Sequence, residues 1–141
     1  MSFDLLGDLD WLAVLVAALA YFVLGALWYA RPVFGTRWAA AGGLEIPEGQ
    51  RPNPSIFLMP LVGSLLSAIA LGMIATATGT DTLGEGLVLG IVVAVGFAIS
   101  IALVTALFES HKPNRMVWGA VNAGYYAVGN LIAATIIGAW P

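Results

Sequence analysis

The chain of 141 residues is strongly apolar: 60% of its residues are hydrophobic, 9% are charged, the formal net charge is −3 and the mean hydropathy is +0.95. A soluble domain of this size carries roughly a quarter of its residues as Asp, Glu, Lys and Arg, so the composition predicts an integral membrane protein. With no cysteine and one histidine, the chain excludes disulfide frameworks, thiol catalysis and metal sites built from cysteine or several histidines.

Partners and cofactors are restricted by the same composition. Five scattered basic residues leave no electrostatic surface for nucleic acid. The glycine-rich strings of nucleotide-binding loops and the nucleophile motif of hydrolases do not occur. We therefore expect no cofactor, no bound metal and no enzymatic activity, and the lipid bilayer is the first predicted partner.

Four apolar runs are long enough to cross a bilayer as helices: Trp11–Ala30, Ser55–Ala77, Gly86–Phe108 and Met116–Trp140. At about 1.5 Å per residue, each run covers the roughly 30 Å hydrocarbon core. None of them contains an ionisable side chain other than tyrosine. We predict an all-α, polytopic membrane protein in which residues 1–141 form one antiparallel bundle of four transmembrane helices.

Each run is preceded by residues that typically begin a helix. Side chains of Asp, Asn and Thr can accept hydrogen bonds from the free N–H groups of a first turn, and proline suits its first position. The predicted caps are Asp8 and Asp10, Asn53 with Pro54, Thr82 in a capping box with Glu85, and Asn114. The acidic flank of the first run also argues against a cleaved signal peptide.

The distribution of basic residues predicts the orientation in the membrane. Arg31, Arg37 and Arg51 lie between the first and second runs, and Lys112 and Arg115 lie between the third and fourth. The other loops and the chain ends carry no Lys or Arg, and short basic loops stay in the cytoplasm. We therefore predict that both termini lie outside the plasma (inner) membrane of a bacterium.

The first cytoplasmic connection is predicted to contain a short helix. Pro32 can begin this helix and Gly42 with Gly43 can end it. Either the helix lies in the headgroup layer, with Phe34 and Trp38 dipping inward, or these aromatic residues pack as a lid on the ends of the spans. Residues assigned to the cytoplasmic interface are Trp28, Arg31, Phe34, Arg37, Trp38 and Glu109.

Polar side chains recur along one face of the fourth run. Asn122, Tyr126 and Asn130 follow each other at intervals of four residues, and the first run places Tyr21 and Tyr29 at comparable spacing around a glycine. Because an amide facing lipid would lack hydrogen-bond partners, this stripe should face protein or a wet cavity. Two interpretations remain open: interhelical hydrogen bonds, or a polar pocket for a small molecule or lipid formed by these five residues.

Small residues recur four positions apart in the last three runs and favour close helix packing, within the bundle or between subunits. The pairs are Gly63/Ser67, Gly86/Gly90, Gly96/Ser100, Ala120/Gly124 and Gly129/Ala133. They favour a homo-oligomer or a complex with another membrane protein. At the cytoplasmic side, Glu109 is expected to form an ion pair with Arg31 or Arg115, and His111 is expected to be solvated. A membrane enzyme that uses Glu109 is the less favoured alternative.

Three strings together resemble one family of small bacterial membrane proteins, DUF1761. They are Leu27-Trp28-Tyr29-x-x-Pro32-x-Phe34-Gly35-x-x-Trp38, Leu107-Phe108-Glu109 and Asn122-Ala123-Gly124-Tyr125. The resemblance extends over nearly the whole chain and implies a four-helix membrane domain of unknown function. Ala30 and Tyr126 stand where the family pattern has a small polar residue and a histidine.

These observations lead to two principal functional hypotheses. The first is a self-associating protein that binds or moves a small hydrophobic or amphiphilic molecule, or a lipid, between its helices. The second is a structural or accessory subunit of a larger membrane complex.

Overall fold

The computed structural model describes residues 2–45 and 53–141, and this part of the chain is helical, without a β-strand. The α-helices are α1 Trp11–Trp28, α2 Thr36–Gly42, α3 Leu58–Thr78, α4 Leu83–Val93, α5 Ser100–Phe108 and α6 Arg115–Gly138. Short 3₁₀ helices cover Phe3–Gly7 and Pro54–Phe57, and π-helical segments cover Arg31–Gly35 and Ala94–Ile99.

Four helices are long and apolar enough to cross a membrane: Trp11–Trp28, Pro54–Thr78, Leu83–Phe108 and Arg115–Gly138. The four predicted apolar helices are therefore present. The helix Leu83–Phe108, called the third span below, joins α4, the π-helical segment Ala94–Ile99 and α5 without a break.

The span boundaries differ from the predicted ones by a few residues. The first span ends at Trp28 because Ala30 is extended (φ −64°, ψ 144°) and caps a new helical segment with proline in its first turn. The third span begins at Leu83, directly after its capping residue Thr82. The last span ends at Gly138, two residues before the predicted Trp140.

A predicted residue caps the N-terminus of each of the four spans, but at the first span only Asp10 does so and Asp8 does not. In each case a side-chain oxygen accepts a backbone N–H of the first turn, and these hydrogen bonds satisfy groups that the helix itself leaves open. The bonds join Asp10 to Leu12 and Ala13 (3.0 Å each), Asn53 to Ser55 (3.1 Å), Thr82 to Glu85 (3.3 Å) and Asn114 to Val117 (3.2 Å). In the capping box the Glu85 carboxylate accepts from the N–H of Asp81, one residue before the expected Thr82.

Helix α6 lies at the centre of the bundle. It packs against α1, α2, α3 and the third span. In its most apolar stretch of 18 residues 44% of the residues are buried, compared with 17% in the third span. Helix α3 packs mainly on α1 and α6 and has little contact with the third span. A gap between α3 and the third span therefore remains, with α6 behind it.

Glycines bring the helices close together at particular points. A Cβ atom on Gly86 or Gly90 would lie 2.7–2.8 Å from the backbone of α6, so α4 and α6 touch along the predicted small-residue pair. A Cβ atom on Gly129 would overlap the ring of Tyr21 in α1. Gly63 and Gly96, in two other predicted patterns, have no neighbouring atom within 4 Å and are uncovered in the single chain.

Candidate functional site

The gap between α3 and the third span forms a cavity of about 400 Å³, which we call the lateral groove. Its volume falls within the range of about 300–1,000 Å³ that is typical of small-molecule sites. Helix α6 forms the floor and the other two helices form the walls. The lateral groove is lined by Ser67, Ala70, Leu71, Ile74, Val93, Phe97, Ala98, Ile101, Ala102, Thr105, Trp118, Asn122, Tyr126 and Asn130.

The Asn122 side chain is held from the side of α6 that faces away from the lateral groove. Its Oδ1 atom accepts hydrogen bonds from the Tyr29 hydroxyl (2.7 Å) and from Trp38 Nε1 (3.0 Å). Because an indole N–H only donates, the atom that it contacts must be the amide oxygen, and this fixes the orientation of the amide. The Nδ2 group of Asn122 has no acceptor among the described residues.

The Asn130 side chain, two helical turns further along α6, is held through its amide nitrogen rather than its oxygen. Its Nδ2 atom donates to the Tyr126 carbonyl oxygen (2.7 Å) and to the Tyr21 hydroxyl (3.2 Å). Since a carbonyl only accepts, this amide orientation is fixed as well. The Oδ1 atom of Asn130 has no hydrogen-bond donor among the described residues.

In each of these two side-chain amides, only one of the two polar atoms has a hydrogen-bond partner among the described residues. Asn122 and Asn130 are both only 8% exposed, yet no fully buried side-chain nitrogen or oxygen in the described residues lacks a partner. The unpaired Nδ2 and Oδ1 atoms must therefore remain accessible, and both residues line the lateral groove. The groove presents an amide donor near one end and an amide acceptor deeper along α6.

Hydroxyl groups add to the polar part of the lateral groove. The side chains of Ser67, Thr105 and Tyr126 line it and make no hydrogen bond within the described residues. In contrast, Ser64 and Ser100 bond to carbonyl oxygens of their own helices, at 3.0 Å to Leu61 and 2.8 Å to Gly96. The three hydroxyl groups that line the groove are thus free to bond to a molecule inside it.

The five residues predicted to form a pocket belong to one connected network, but they occupy two sides of α6. Asn122, Tyr126 and Asn130 line the lateral groove, whereas Tyr21 and Tyr29 lie behind them and hold the two amides. The predicted interhelical hydrogen bonds therefore exist at the same residues that line a cavity.

Gly25, the glycine between Tyr21 and Tyr29 in α1, leaves a space that the aromatic ring of Tyr125 fills. A Cβ atom on Gly25 would lie 3.0 Å from the Tyr125 hydroxyl oxygen, so glycine makes room for this ring. Tyr21 and Tyr29 flank the ring edge to face, with centroid distances of 5.4 and 5.3 Å. This packing fixes the position of both tyrosines that hold the amides.

The short helix α2 packs on the ends of the spans, as the second predicted alternative required. Phe34 lies on Trp28 with ring centroids 4.6 Å apart, and Trp38 reaches Asn122. The turn before α2 needs glycine at position 35, because a Cβ atom there would overlap the Tyr29 carbonyl. The helix ends at Gly43, whose φ of +70° is the left-handed conformation that glycine favours, while Arg37 remains exposed.

The basic connections lie at the α2 end of the molecule. The backbone N–H of Asn114 donates to the Ala41 carbonyl (3.0 Å), which joins the end of α2 to the start of α6. Glu109 forms an ion pair with Lys112 (3.5 Å), and Arg115 instead donates to the Leu107 carbonyl (3.0 Å). The predicted ion pair between Glu109 and Arg115 is therefore not formed, because Glu109 pairs with Lys112. Glu109 also does not line the lateral groove.

A second cavity of about 210 Å³ lies at the opposite end of the bundle, where Asp8, Asp10 and Asp81 lie among its lining residues. Asp10 is already engaged as the cap of α1. In the described part of the chain, no group of three His, Cys, Asp or Glu side chains could hold a metal ion.

The apolar wall of the lateral groove was not predicted. Phe97, Ala98 and Val93 belong to the third span in or beside its π-helical segment, whereas the sequence predicts a regular helix there. In a span that is apolar on every side, no residue pattern separates a groove wall from a lipid-facing surface.

Comparison with known proteins identifies the chain at the level of its family. Neither the curated proteins nor the solved structures give a match. A family model described as protein of unknown function (DUF1761) matches residues 12–138, a range that includes the spans almost completely. This confirms the resemblance seen in the sequence, and the chain belongs to the DUF1761 family.

Proposed function

We propose that this protein binds a small hydrophobic or amphiphilic molecule, or a lipid, in the lateral groove. The observation that carries the proposal is the pair of unpaired amide groups, Asn122 Nδ2 and Asn130 Oδ1, in an otherwise apolar cavity. A purely structural amide would use both its donor and its acceptor inside the bundle.

The free energy of polar groups in a membrane supports this proposal. A buried donor or acceptor without a partner costs roughly 1–3 kcal/mol, and lipid chains offer no hydrogen bond in return. A ligand with its own polar group would satisfy these atoms while its apolar part fills the groove. Binding is favoured over catalysis because no Asp, Glu, Lys, Arg or His is among the described residues that line the groove.

The proposal includes an orientation in the membrane. We place the α2 end, with Arg31, Arg37, Lys112 and Arg115, in the cytoplasm and both termini outside, so that the spans run antiparallel. The fifth basic residue, Arg51, lies outside the described residues. The bacterial plasma membrane remains the proposed location, and the end of the groove at Asn122 then lies towards its cytoplasmic leaflet.

The test fills the lateral groove without touching the hydrogen-bond network. Ala98 lines the groove and makes no side-chain hydrogen bond, so Ala98→Phe should expel a ligand and leave the bundle intact. The matched control is Val95→Phe, because Val95 lies in the same π-helical segment, is 59% exposed and does not line the groove. Asn122→Leu is a weaker test, since it also removes the bonds to Tyr29 and Trp38.

Native mass spectrometry of the protein released gently from its own membrane provides the measurement. The wild type and Val95→Phe should carry the same additional mass, and Ala98→Phe should lack it. The proposal is wrong if the wild type carries no reproducible ligand, or if Ala98→Phe retains it fully.

A second candidate function is lateral association, with another copy or with a different membrane protein. The third span has the smallest buried share of the four, and its Gly96 and Ser100 lie uncovered on one face. Small residues on such faces allow helices of neighbouring subunits to approach closely. The same mass spectra test this role: Gly96→Leu should reduce a homo-oligomer to monomers, or remove a stoichiometric partner, if the face is an interface.

A further inference from the structure

The polar atoms of the lateral groove differ in what they demand of a ligand. The free N–H groups of Asn122 can bond to any oxygen, including that of water, so they do not discriminate between ligands. The free Oδ1 of Asn130 accepts only, and its satisfaction requires an O–H or N–H donor. Selection for ligand chemistry should therefore occur at Asn130.

The surroundings of Asn130 indicate which donor fits. Tyr126, one helical turn away, has a hydroxyl that makes no hydrogen bond within the described residues and can both donate and accept. A ligand hydroxyl could donate to Asn130 Oδ1 and accept from the Tyr126 hydroxyl at the same time. An ether, ketone or ester oxygen could make only the second of these bonds.

The charge and shape of the lateral groove narrow the ligand further. No side chain that is charged at neutral pH lines it among the described residues, and an ionised headgroup at the depth of Asn130 would lack a counter-ion. Asn130 lies about 12 Å beyond Asn122 along α6, and therefore well inside the span. The cavity of about 400 Å³ has room for one chain, and that chain can leave sideways between α3 and the third span.

We propose that the lateral groove selects an uncharged, single-chain amphiphile with a hydroxyl headgroup, such as a long-chain alcohol. The hydroxyl sits between Asn130 Oδ1 and the Tyr126 hydroxyl, and the chain extends along the wall formed by the third span. This inference rests on the proposed binding function and adds the chemical class of the ligand.

The test compares three probes that share one chain and differ only in the headgroup. They are octadecan-1-ol, its methyl ether and octadecanoic acid, each with a mid-chain dibromide that quenches tryptophan fluorescence. The full chain is placed in phosphatidylcholine nanodiscs. Trp118 lines the groove, so the difference in quenching between the wild type and Trp118→Phe isolates the signal of a groove-bound probe from that of lipid-exposed tryptophans.

We expect the alcohol to quench Trp118 at about threefold lower concentration than the methyl ether, the effect of one average side-chain hydrogen bond in a membrane. The acid should bind no better than the ether at neutral pH. Asn130→Leu should remove the preference for the alcohol, and Tyr126→Phe should reduce it without loss of stability, because the Tyr126 hydroxyl has no partner among the described residues. Thr135→Val is the control, since Thr135 bonds to Leu131 in its own helix and does not line the groove.

Failure of the ligand class and failure of the proposed function give different results. If the ether or the acid quenches Trp118 as well as the alcohol does, or if Tyr126→Phe keeps the full preference, the hydroxyl class is wrong and groove binding stands. If no probe quenches Trp118 beyond the level seen with Trp118→Phe, neither the class nor the groove site is supported, and water is left as the occupant of these polar atoms.

Discussion

Gly129 in α6 lies directly against the ring of Tyr21 in α1, which holds the Asn130 amide in the groove. The substitution Gly129→Ala tests this packing. A Cβ atom at this position would overlap Cε2, Cδ2 and Cζ of the Tyr21 ring. The ring cannot move aside freely, because Tyr125 packs on it and its hydroxyl bonds to Asn130 and to the Tyr126 carbonyl (3.3 Å). The substitution should therefore either separate α1 from α6 or break these hydrogen bonds.

The expected loss of stability follows from these contacts. One excess methyl group in a packed interior costs typically 1–3 kcal/mol. Loss of the two Tyr21 bonds adds about 0.6 kcal/mol each, the mean for side-chain hydrogen bonds in a membrane. Alanine returns up to about 1 kcal/mol through its higher helix propensity. We expect Gly129→Ala to lower the free energy of unfolding by about 1–3 kcal/mol.

The measurement is reversible unfolding by SDS in mixed micelles, followed by circular dichroism. Gly63→Ala is the matched control, because it makes the same change within α3 at a position with no atom within 4 Å. It should be neutral or stabilising by up to about 1 kcal/mol, which places the two variants about 1–4 kcal/mol apart. Equal stability of the two variants would refute the packing argument and, with it, the role of Tyr21 as the support of Asn130.

Three further predictions concern other parts of the molecule. Tyr29→Phe should lower stability in the same assay by about 0.6 kcal/mol, through loss of the 2.7 Å bond to the Asn122 amide; a change above about 2 kcal/mol would contradict this value. Asp10→Ala should cost about 1 kcal/mol through loss of the α1 cap, while Asp8→Ala, which removes no capping bond to α1, should cost little; equal effects would contradict the capping assignment. In this cysteine-free chain, a membrane-impermeant maleimide should label Ser2→Cys in intact cells and Ser110→Cys only after permeabilisation, and the reverse pattern would invert the proposed orientation.

The spans and their caps could be predicted because their signals are local. A run of apolar residues and a capping side chain act within one or two helical turns, whatever the rest of the chain does. Asp10, Asn53, Thr82 and Asn114 all cap the helices they precede. Where a boundary differs from the prediction, the neighbouring segment is the cause. Ala30 was predicted as the end of the first span, but it caps the helical segment Arg31–Gly35 instead.

The lateral groove could be predicted only in part because it depends on which helices meet. The spacing of Asn122, Tyr126 and Asn130 put them on one face of α6, and that face does line the cavity. The apolar face of the third span that completes the groove has no distinguishing sequence signal, because this helix carries apolar residues on every side. Glu109 shows the same limit, because several basic residues were within reach and the loop geometry selected Lys112.

Interhelical bonding and a ligand pocket are not exclusive interpretations of the asparagine stripe, because the amides bond to other helices and also line a cavity. A side-chain amide is planar and carries an acceptor oxygen and a donor nitrogen on two branches of one carbon, so one can serve helix packing while the other faces a cavity. Asn122 Oδ1 accepts hydrogen bonds from Tyr29 and Trp38, and Asn130 Nδ2 donates to the Tyr21 hydroxyl. The bonds behind α6 thus fix the direction of the free groups, and such preorganised polar groups are what the proposed ligand site requires.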